Sequence, residues 1–241
     1  MGVQQNKLAY ITGSSKGIGR ALTELLLEEG YEVIGLSRSN DLKAENFKHI
    51  TLDLADIGKV SSFEFQKTAD KVLLVNNAGL VGDINPLGSV QNSDIQKVMN
   101  VNTIAPQILC NNFIKRFQNE KGSFHVLNIS SGAGKSAIDS WATYCASKAA
   151  LDLFSETMSS ELEWAQATNW HVHSCAPGVV DTNMQEQIRS SSEEEFNRVQ
   201  YFKDLKSNNE LFTPQLVANK LNMVIENPEK FPETLISVRD F

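Results

Sequence analysis

The sequence predicts an α/β fold: a doubly wound, seven-stranded, mostly parallel sheet with helices on both faces. Three observations predict it. Short apolar runs alternate with longer segments of helical spacing. The runs are short and mostly apolar, as strands covered on both faces should be. A glycine-rich turn joins the first run to the first helical segment, the place where such sheets open a ligand crevice.

Residues 8–11 form the first predicted strand. A helix at 18–27 follows, with Ile18, Ala21, Leu22, Leu25 and Leu26 on one stripe. Strands at 33–36 and 50–52 come next, then a short helix at 60–68. The fourth strand, 72–75, runs into Asn76-Asn77-Ala78-Gly79. A long helix is predicted at 95–117, a fifth strand at 124–129 and a helix rich in Ala, Leu and Glu at 141–164. A sixth strand at 172–175 and a seventh at 235–238 complete the sheet. With 241 residues, 41% of them hydrophobic, the chain suits one domain spanning 1–241. No internal repeat or linker divides it. The polar stretch 189–197 reads either as a mobile loop or as a solvated helix face, inside a candidate substrate lid at 183–212.

The net charge of −7 disfavours nucleic-acid and membrane-surface partners, because an acidic surface repels phosphate and anionic lipid. Three cysteines, Cys110, Cys145 and Cys175, are an odd number at wide spacing, which fits a reducing cytoplasm better than a disulfide framework. The first seven residues lack a signal pattern. No apolar run approaches the length of about 18 residues that a membrane helix needs. His49, His125, His171 and His173 show no metal-ligand spacing, and the pair at 171 and 173 reads as strand-edge packing. No metal is expected.

The turn Thr12-Gly13-Ser14-Ser15-Lys16-Gly17-Ile18-Gly19 sits between strand and helix. Its glycines let the backbone approach a pyrophosphate, and the following helix points its first amides at the negative charge. Proteins selecting NAD usually end the second strand with an acid that binds the ribose hydroxyl. Here that place reads Gly35-Leu36-Ser37-Arg38-Ser39, without an acid. A guanidinium suits a 2′-phosphate, so Arg38, with Lys16 as a second cation, points to NADP(H).

Tyr144 and Lys148 stand at i and i+4 and share a helix face. An ammonium near a phenol favours the phenolate and lowers its pKa. A phenol so tuned can hand a proton to a carbonyl oxygen while hydride reaches the carbon. Ser131, at the end of the fifth strand, can hydrogen-bond the same oxygen.

With these residues in place, the chain resembles a short-chain dehydrogenase/reductase over almost its whole length. The likeness rests on the turn at 12–19, Asn76-Asn77-Ala78-Gly79, Asn100-Val101-Asn102-Thr103, Asn128-Ile129-Ser130-Ser131, Tyr144-Cys145-Ala146-Ser147-Lys148 and Pro177-Gly178-Val179-Val180-Asp181-Thr182. The resemblance implies a catalytic set of Asn102, Ser131, Tyr144 and Lys148. Asn102 would support a water linking Lys148 to solvent. It also implies a cofactor site made by Gly13, Ser15, Lys16, Gly17, Ile18, Gly19, Arg38, Asp53, Leu54, Asn77, Ala78, Gly79, Tyr144, Lys148, Pro177, Gly178, Val180 and Thr182.

Within the family the chain is most similar to sepiapterin reductases and benzil reductases. Its end, Val238-Arg239-Asp240-Phe241, resembles a C-terminal Val-Asp-Phe whose aspartate anchors a pterin. Asp240 therefore reads either as a substrate anchor or as an exposed terminal acid. Trp141 reads as a pocket wall beside Ser131 and Tyr144, or as core. The resemblance also implies a homo-oligomer, a dimer or else a tetramer, joined through helices 95–117 and 141–164. The leading expectation is NADPH-dependent reduction of a small carbonyl, sepiapterin-like or a 1,2-dicarbonyl. An oxidative alcohol dehydrogenase and a non-catalytic NADP-binding scaffold are the alternatives.

Overall fold

The computed structural model describes residues 6–241; residues 1–5, where most of the signal-free N-terminal reading falls, lie outside the described residues. The strands are β1 (Lys7–Thr12), β2 (Tyr31–Ser37), β3 (Phe47–Thr51), β4 (Lys71–Asn76), β5 (Ser123–Ile129), β6 (Trp170–Ala176) and β7 (Leu235–Ser237). The helices are α1 (Gly17–Glu28), α2 (Ile57–Ser61), α3 (Asn92–Met99), α4 (Ala105–Phe117), α5 (Ala142–Trp164), α6 (Asn183–Arg189), α7 (Val199–Ser207) and α8 (Pro214–Glu226). The sheet order is β3-β2-β1-β4-β5-β6-β7, and every pairing is parallel. The winding reverses between β1 and β4, so a crevice opens beyond their C-terminal ends, Thr12 and Asn76.

Side chains that alternate along each strand feed two cores. On one face Leu8, Tyr10, Val72, Leu74, Phe124 and Val126 meet Leu109, Phe113 and Phe117 of α4 and Met158 of α5. On the other, Ala9, Ile11, Leu73, Val75 and Leu127 meet Leu22 and Leu26 of α1 and Val217, Leu221 and Ile225 of α8. Each large side chain so buried stabilises the fold by about 1.5–3 kcal/mol. Among the described residues no helix is long and apolar enough to cross a membrane.

Several elements differ from the sequence expectation, with helices α6 and α7 unpredicted inside the candidate lid. The helix expected at 60–68 stops at Ser61, and Phe63 and Phe65 then enter the core while Glu64 stays exposed. Their period of two marks extended chain, and edge-on packing of Phe65 on Tyr10 and Phe113 fixes it (4.8 and 5.2 Å between centroids). The helix expected at 95–117 is broken by a π-turn, Asn100–Ile104, between α3 and α4. Helix α8 was not foreseen. Thr213 caps it, its hydroxyl accepting from Leu216 N at 3.1 Å, and Pro214 occupies its first turn.

The histidine pair is also placed differently, because β6 is interior. His125 on β5 and His173 on β6 meet at 2.8 Å between Nε2 and Nδ1, and His173 Nε2 lies 2.8 Å from the Phe231 carbonyl. His173 Nε2 must donate to that carbonyl, so its Nδ1 accepts from His125 Nε2. Burial holds both rings below the ordinary imidazole range, His125 furthest. Among the described residues no group of three or more His, Cys, Asp or Glu could hold a metal ion.

The end of α8 is tied to the sheet by charge. Glu226 accepts from Tyr31 Oη at 2.6 Å, Lys7 Nζ at 3.0 Å and Lys71 Nζ at 3.1 Å. Burial pushes the Glu226 carboxyl up, but Tyr31, Lys7 and Lys71 together outweigh it and hold it below the ordinary value. A carboxyl lowered by folding contributes stability above its unfolded pKa and loses it as pH falls through the folded one. Glu226→Gln should therefore cost about 1–2 kcal/mol at neutral pH, read as a Tm lower by a few degrees. In thermal melts the gap from wild type should close in acid; a gap independent of pH would refute the charge account.

Candidate active site

The crevice floor is set by backbone that only glycine allows. Gly13 and Gly17 have φ of 67° and 56°, in the left-handed region. A Cβ on Gly13 would stand 2.9 Å from Asn77 Nδ2, and one on Gly19 would stand 2.3 Å from both Asn77 Nδ2 and the Gly13 carbonyl. Asn77 holds the turn by donating to the Thr12 and Gly13 carbonyls at 3.0 and 3.1 Å. The backbone amides of Asn77 and Ala78 donate to Thr12 Oγ1. The ends of β1 and β4 are thereby stitched together. Lys16 precedes α1 without a side-chain cap, which leaves the first amides of a twelve-residue helix facing the cleft.

That cleft measures about 430 Å³ and is lined by Gly13, Ser15, Lys16, Gly17 and Ile18 along the turn, and by Arg38, Asp53 and Leu54 beyond β2 and β3. Asn77, Ala78, Gly79, Tyr144, Lys148, Pro177 and Thr182 line the rest of the predicted set's share of it. Lys16 and Arg38 are exposed, and neither forms an ion pair among the described residues. Arg20, the next cation, is already engaged by Glu24 at 2.6 Å and Asp41 at 2.5 Å. Gly19 and Val180 lie beneath the surface: Gly19 packs under the turn and Val180 joins the core. Gly178, at φ 75°, supports the wall from behind, against Phe212.

At the inner end the polar side chains converge. The π-turn brings Asn102 inward, where its Oδ1 accepts from Leu80 N and its Nδ2 donates to Leu80 O, both at 2.8 Å. Asn102 Nδ2 also donates to Ser147 Oγ at 3.0 Å, which donates in turn to the Tyr144 carbonyl at 2.7 Å. Lys148, 3% exposed, donates to the Ile129 carbonyl at 2.8 Å, and its Nζ lies 5.9 Å from the Tyr144 ring centroid. Ser131 follows β5, with its Oγ accepting from Ala133 N at 3.2 Å.

The electrostatics correct one expectation. Burial pushes the Tyr144 phenol above its ordinary value, with the Ser131 hydroxyl beside it opposing the rise. Burial also draws Lys148 down to about 8. With its amine turned to the Ile129 carbonyl, Lys148 does not outweigh burial at Tyr144; desolvation dominates both groups.

Trp141 resolves toward core. It is buried, edge-on to Tyr144 at 5.6 Å and stacked on Phe196 at 5.3 Å, and it does not line the cleft. The stretch 189–197 is not a helix face: past Arg189, the last residue of α6, it runs as turns to α7, with Phe196 fully buried. The segment leaving at Asp181 returns at Phe212, where Asp181 N donates to Phe212 O at 2.9 Å. Between these ends α6 puts Met184 and Gln187 on the cleft wall, α7 packs Val199, Phe202 and Leu205 into the cluster with Trp141 and Tyr144, and Asp181 pairs with Lys206 at 2.6 Å and Arg189 at 3.8 Å. The structure does not bring Asp240 to the cleft. The tail turns back after β7, with Asp240 N donating to Ser237 O at 3.0 Å, and Asp240 stays exposed. Sequence reading missed Lys97, Leu80, Met184 and Gln187 in the lining. They come from three separate segments, Leu80 after β4, Lys97 on α3 and Met184 with Gln187 on α6; the Gln187 side chain makes a long-range bond to the Gly82 carbonyl at 3.0 Å.

Comparison with known proteins agrees with this geometry. The profile of the short chain dehydrogenase family matches residues 7–193. A benzil reductase ((S)-benzoin forming) from Bacillus subtilis (strain 168) is 35% identical over 229 residues, covering 91% of this chain and 93% of its own. A sepiapterin reductase from Rattus norvegicus is 31% identical over 212 residues, covering 77% of this chain and 78% of its own. Among solved structures, 4-hydroxyisoleucine dehydrogenase complexed with NADH has a TM-score of 0.77 at 27% identity, with 96% of each chain covered. With the parallel sheet, the glycine turn at its switch point and a profile match over most of the residues, the chain belongs to the short chain dehydrogenase family of oxidoreductases.

Proposed function

We propose that the protein is an NADPH-dependent carbonyl reductase acting on a 1,2-dicarbonyl of the benzil type. The observation that carries this reading is the buried Tyr144–Lys148 pair, with Ser131 beside Tyr144, at the inner end of a cleft that is also lined by Lys16, Arg38 and Lys97, three cations with no ion pair among the described residues. The glycine turn fits a dinucleotide, since Gly13 and Gly17 open onto the cleft beside the first amides of α1, and a Cβ at Gly13 or Gly19 would push the turn off Asn77. In this reading the turn and the first amides of α1 hold the pyrophosphate, Arg38 and Lys16 hold a 2′-phosphate, and Asp53 and Leu54 meet the adenine. The bound reduced dinucleotide supplies the hydride.

The protein's own groups handle the oxygen. Tyr144 Oη gives a proton to the carbonyl oxygen, and a phenol pushed up by burial stays protonated at neutral pH, as a donor must. Ser131 Oγ donates a second hydrogen bond to that oxygen and orients the carbonyl. Lys148 keeps positive charge near the phenol while the proton leaves. In this reading the 183–212 segment, whose Met184 and Gln187 line the cleft, acts as the lid that excludes water. Benzil comes first as substrate because the Bacillus subtilis relative matches over nearly the full length of both chains; a pterin side-chain carbonyl comes second.

The test is loss of reduced-nicotinamide absorbance with benzil, sepiapterin and simple ketones, with NADPH and NADH in parallel. Turnover of benzil or sepiapterin specific to NADPH is expected. Tight NADPH binding without turnover of any carbonyl would overturn the reading. A second reading, an oxidative dehydrogenase using NAD, is favoured by the NADH-bound neighbour and would show as NADH preference. The reading extends to a homodimer through α4 and α5, where Leu153 and Trp164 of α5 stand 66% and 88% exposed. Light scattering should give twice the chain mass; a monomer would remove the dimer.

A further inference from the structure

The carboxylate of Asp152 has no part in the scheme above. It lies one helical turn beyond Lys148 and two beyond Tyr144 on α5, so the three share a face. All three are buried, Asp152 at 7% exposure. Ser174 Oγ of β6 donates to Asp152 Oδ1 at 2.7 Å. On the other side the Gly132–Gly134 turn, which follows Ser131, presses close. A Cβ on Gly134 would stand 2.7 Å from Asp152 Oδ2 and 3.0 Å from the Lys148 carbonyl carbon. The carboxylate is thus wedged between the Ser131 turn and β6, behind Lys148. It forms no ion pair among the described residues. A buried carboxylate with one hydroxyl donor and no counter-ion is costly to keep.

We propose that Asp152 is a positioning residue for the reaction: its fixed negative charge keeps the Lys148 amine protonated, and Ser174 fixes where that charge stands. Its role in turnover rests on the carbonyl-reductase reading; its hold on the Lys148 proton does not. The surroundings of the amine leave few other candidates. β5 presents the Ile129 carbonyl, the end of β4 presents Gly79, and the π-turn presents the Asn102 amide, none of them ionisable. On α5 itself the ionisable neighbours are Tyr144 and Asp152. Burial lowers Lys148, and Asp152 is the group that opposes it. In a poorly solvated interior a charge one turn away still acts.

The test is an NMR titration of the cofactor-free protein with isotope-labelled lysine, the Lys148 signal being assigned by its loss in Lys148→Met. Wild-type Lys148 should titrate near 8. Asp152→Asn keeps the shape and still accepts from Ser174, and should move the midpoint down by on the order of one pH unit. Ser174→Ala should move it in the same direction by less. With NADPH and benzil, the alkaline limb of kcat should shift down by the same amount in Asp152→Asn, with the rate at mildly acid pH preserved. An unmoved Lys148 midpoint overturns the proposal, and so does an equal loss of kcat at every pH. If Asp152→Asn does not fold, an unmoved midpoint in Ser174→Ala overturns it instead. If the midpoint moves while benzil is not reduced, the hold on the Lys148 proton stands and the reductase reading falls.

Discussion

Tyr144→Phe lowers NADPH-dependent reduction of benzil by about 10²- to 10⁴-fold, the range for losing a positioned general acid, and leaves NADPH binding unchanged. The size follows from what is removed. Phenylalanine keeps the ring and its edge contact with Trp141 at 5.6 Å, so packing is intact. It loses only the hydroxyl, and with it the proton that the carbonyl oxygen must receive. The barrier rises by about 3–5 kcal/mol on the scale of 1.36 kcal/mol per tenfold. Steady-state rates, fluorescence titration with NADPH and a thermal melt together check the outcome. The melt should be unchanged, and a large fall in Tm would mean that the hydroxyl is structural. Undiminished turnover would refute Tyr144 as the donor, whatever the cofactor. The pH profile carries a second mark of the same chemistry. The donor form is the protonated phenol, so wild-type activity should be flat from mildly acid to neutral pH and fall on the alkaline side, where Lys148 near 8 loses its charge first.

The sheet was legible in the sequence because its strands are buried on both faces, which leaves unbroken apolar runs such as 8–11 and 72–75. The elements misread are those where the period of burial changes within a few residues. Phe63 and Phe65 sit next to a true helix end at Ser61, and their alternation was absorbed into it. The π-turn at Asn100–Ile104 leaves the apolar pattern of 95–117 nearly intact, so only the backbone shows the extra residue that turns Asn102 inward. Helix α8 did carry a signal: Thr213-Pro214 ahead of Val217, Leu221 and Ile225 has a cap, a first-turn proline and helical spacing.

The site divides along the same line. Its glycine turn and Tyr-x-x-x-Lys pair are contiguous and readable, whereas its walls come from segments far apart in sequence. Met184 and Gln187 reach the cleft only because the ends of the α6–α7 excursion are joined at Asp181 and Phe212. His125 and His173 are 48 residues apart and meet only through the pairing of β5 and β6. Asp240 was placed by its likeness to a C-terminal motif, but the register of the tail is set by Val238, which is fully buried and leaves Asp240 outside. Tyr144's pKa was read from a neighbouring charge alone, and burial, invisible in sequence, reverses the sign.

Arg38→Asp should exchange the cofactor. Arg38 stands exposed at the cleft and forms no ion pair among the described residues, so its guanidinium can take a dianionic phosphate. Losing a hydrogen bond to a charged group costs about 1.5–3 kcal/mol, which is about 10- to 100-fold in NADPH affinity at 1.4 kcal/mol per tenfold. The new carboxylate then repels the phosphate and weakens binding further. NADH lacks that phosphate and offers a ribose hydroxyl that an acid at this position can bind, so its affinity should hold or rise. Stability should not change, since an exposed, unpaired side chain is worth less than about 0.5 kcal/mol. Calorimetric titration with each cofactor at low and high salt checks all of this. The NADPH preference of the wild type should shrink with salt, because the free cations at the cleft mouth are screened. Lys16→Ala separates the two cations: it should weaken NADPH less than Arg38→Asp does and leave NADH nearly untouched. If Arg38→Asp kept its NADPH preference while Lys16→Ala lost it, the 2′-phosphate would belong to the glycine turn rather than to the end of β2. The sequence contrast that first suggested NADP(H), an arginine where an acid usually stands, would then have no bearing on cofactor choice.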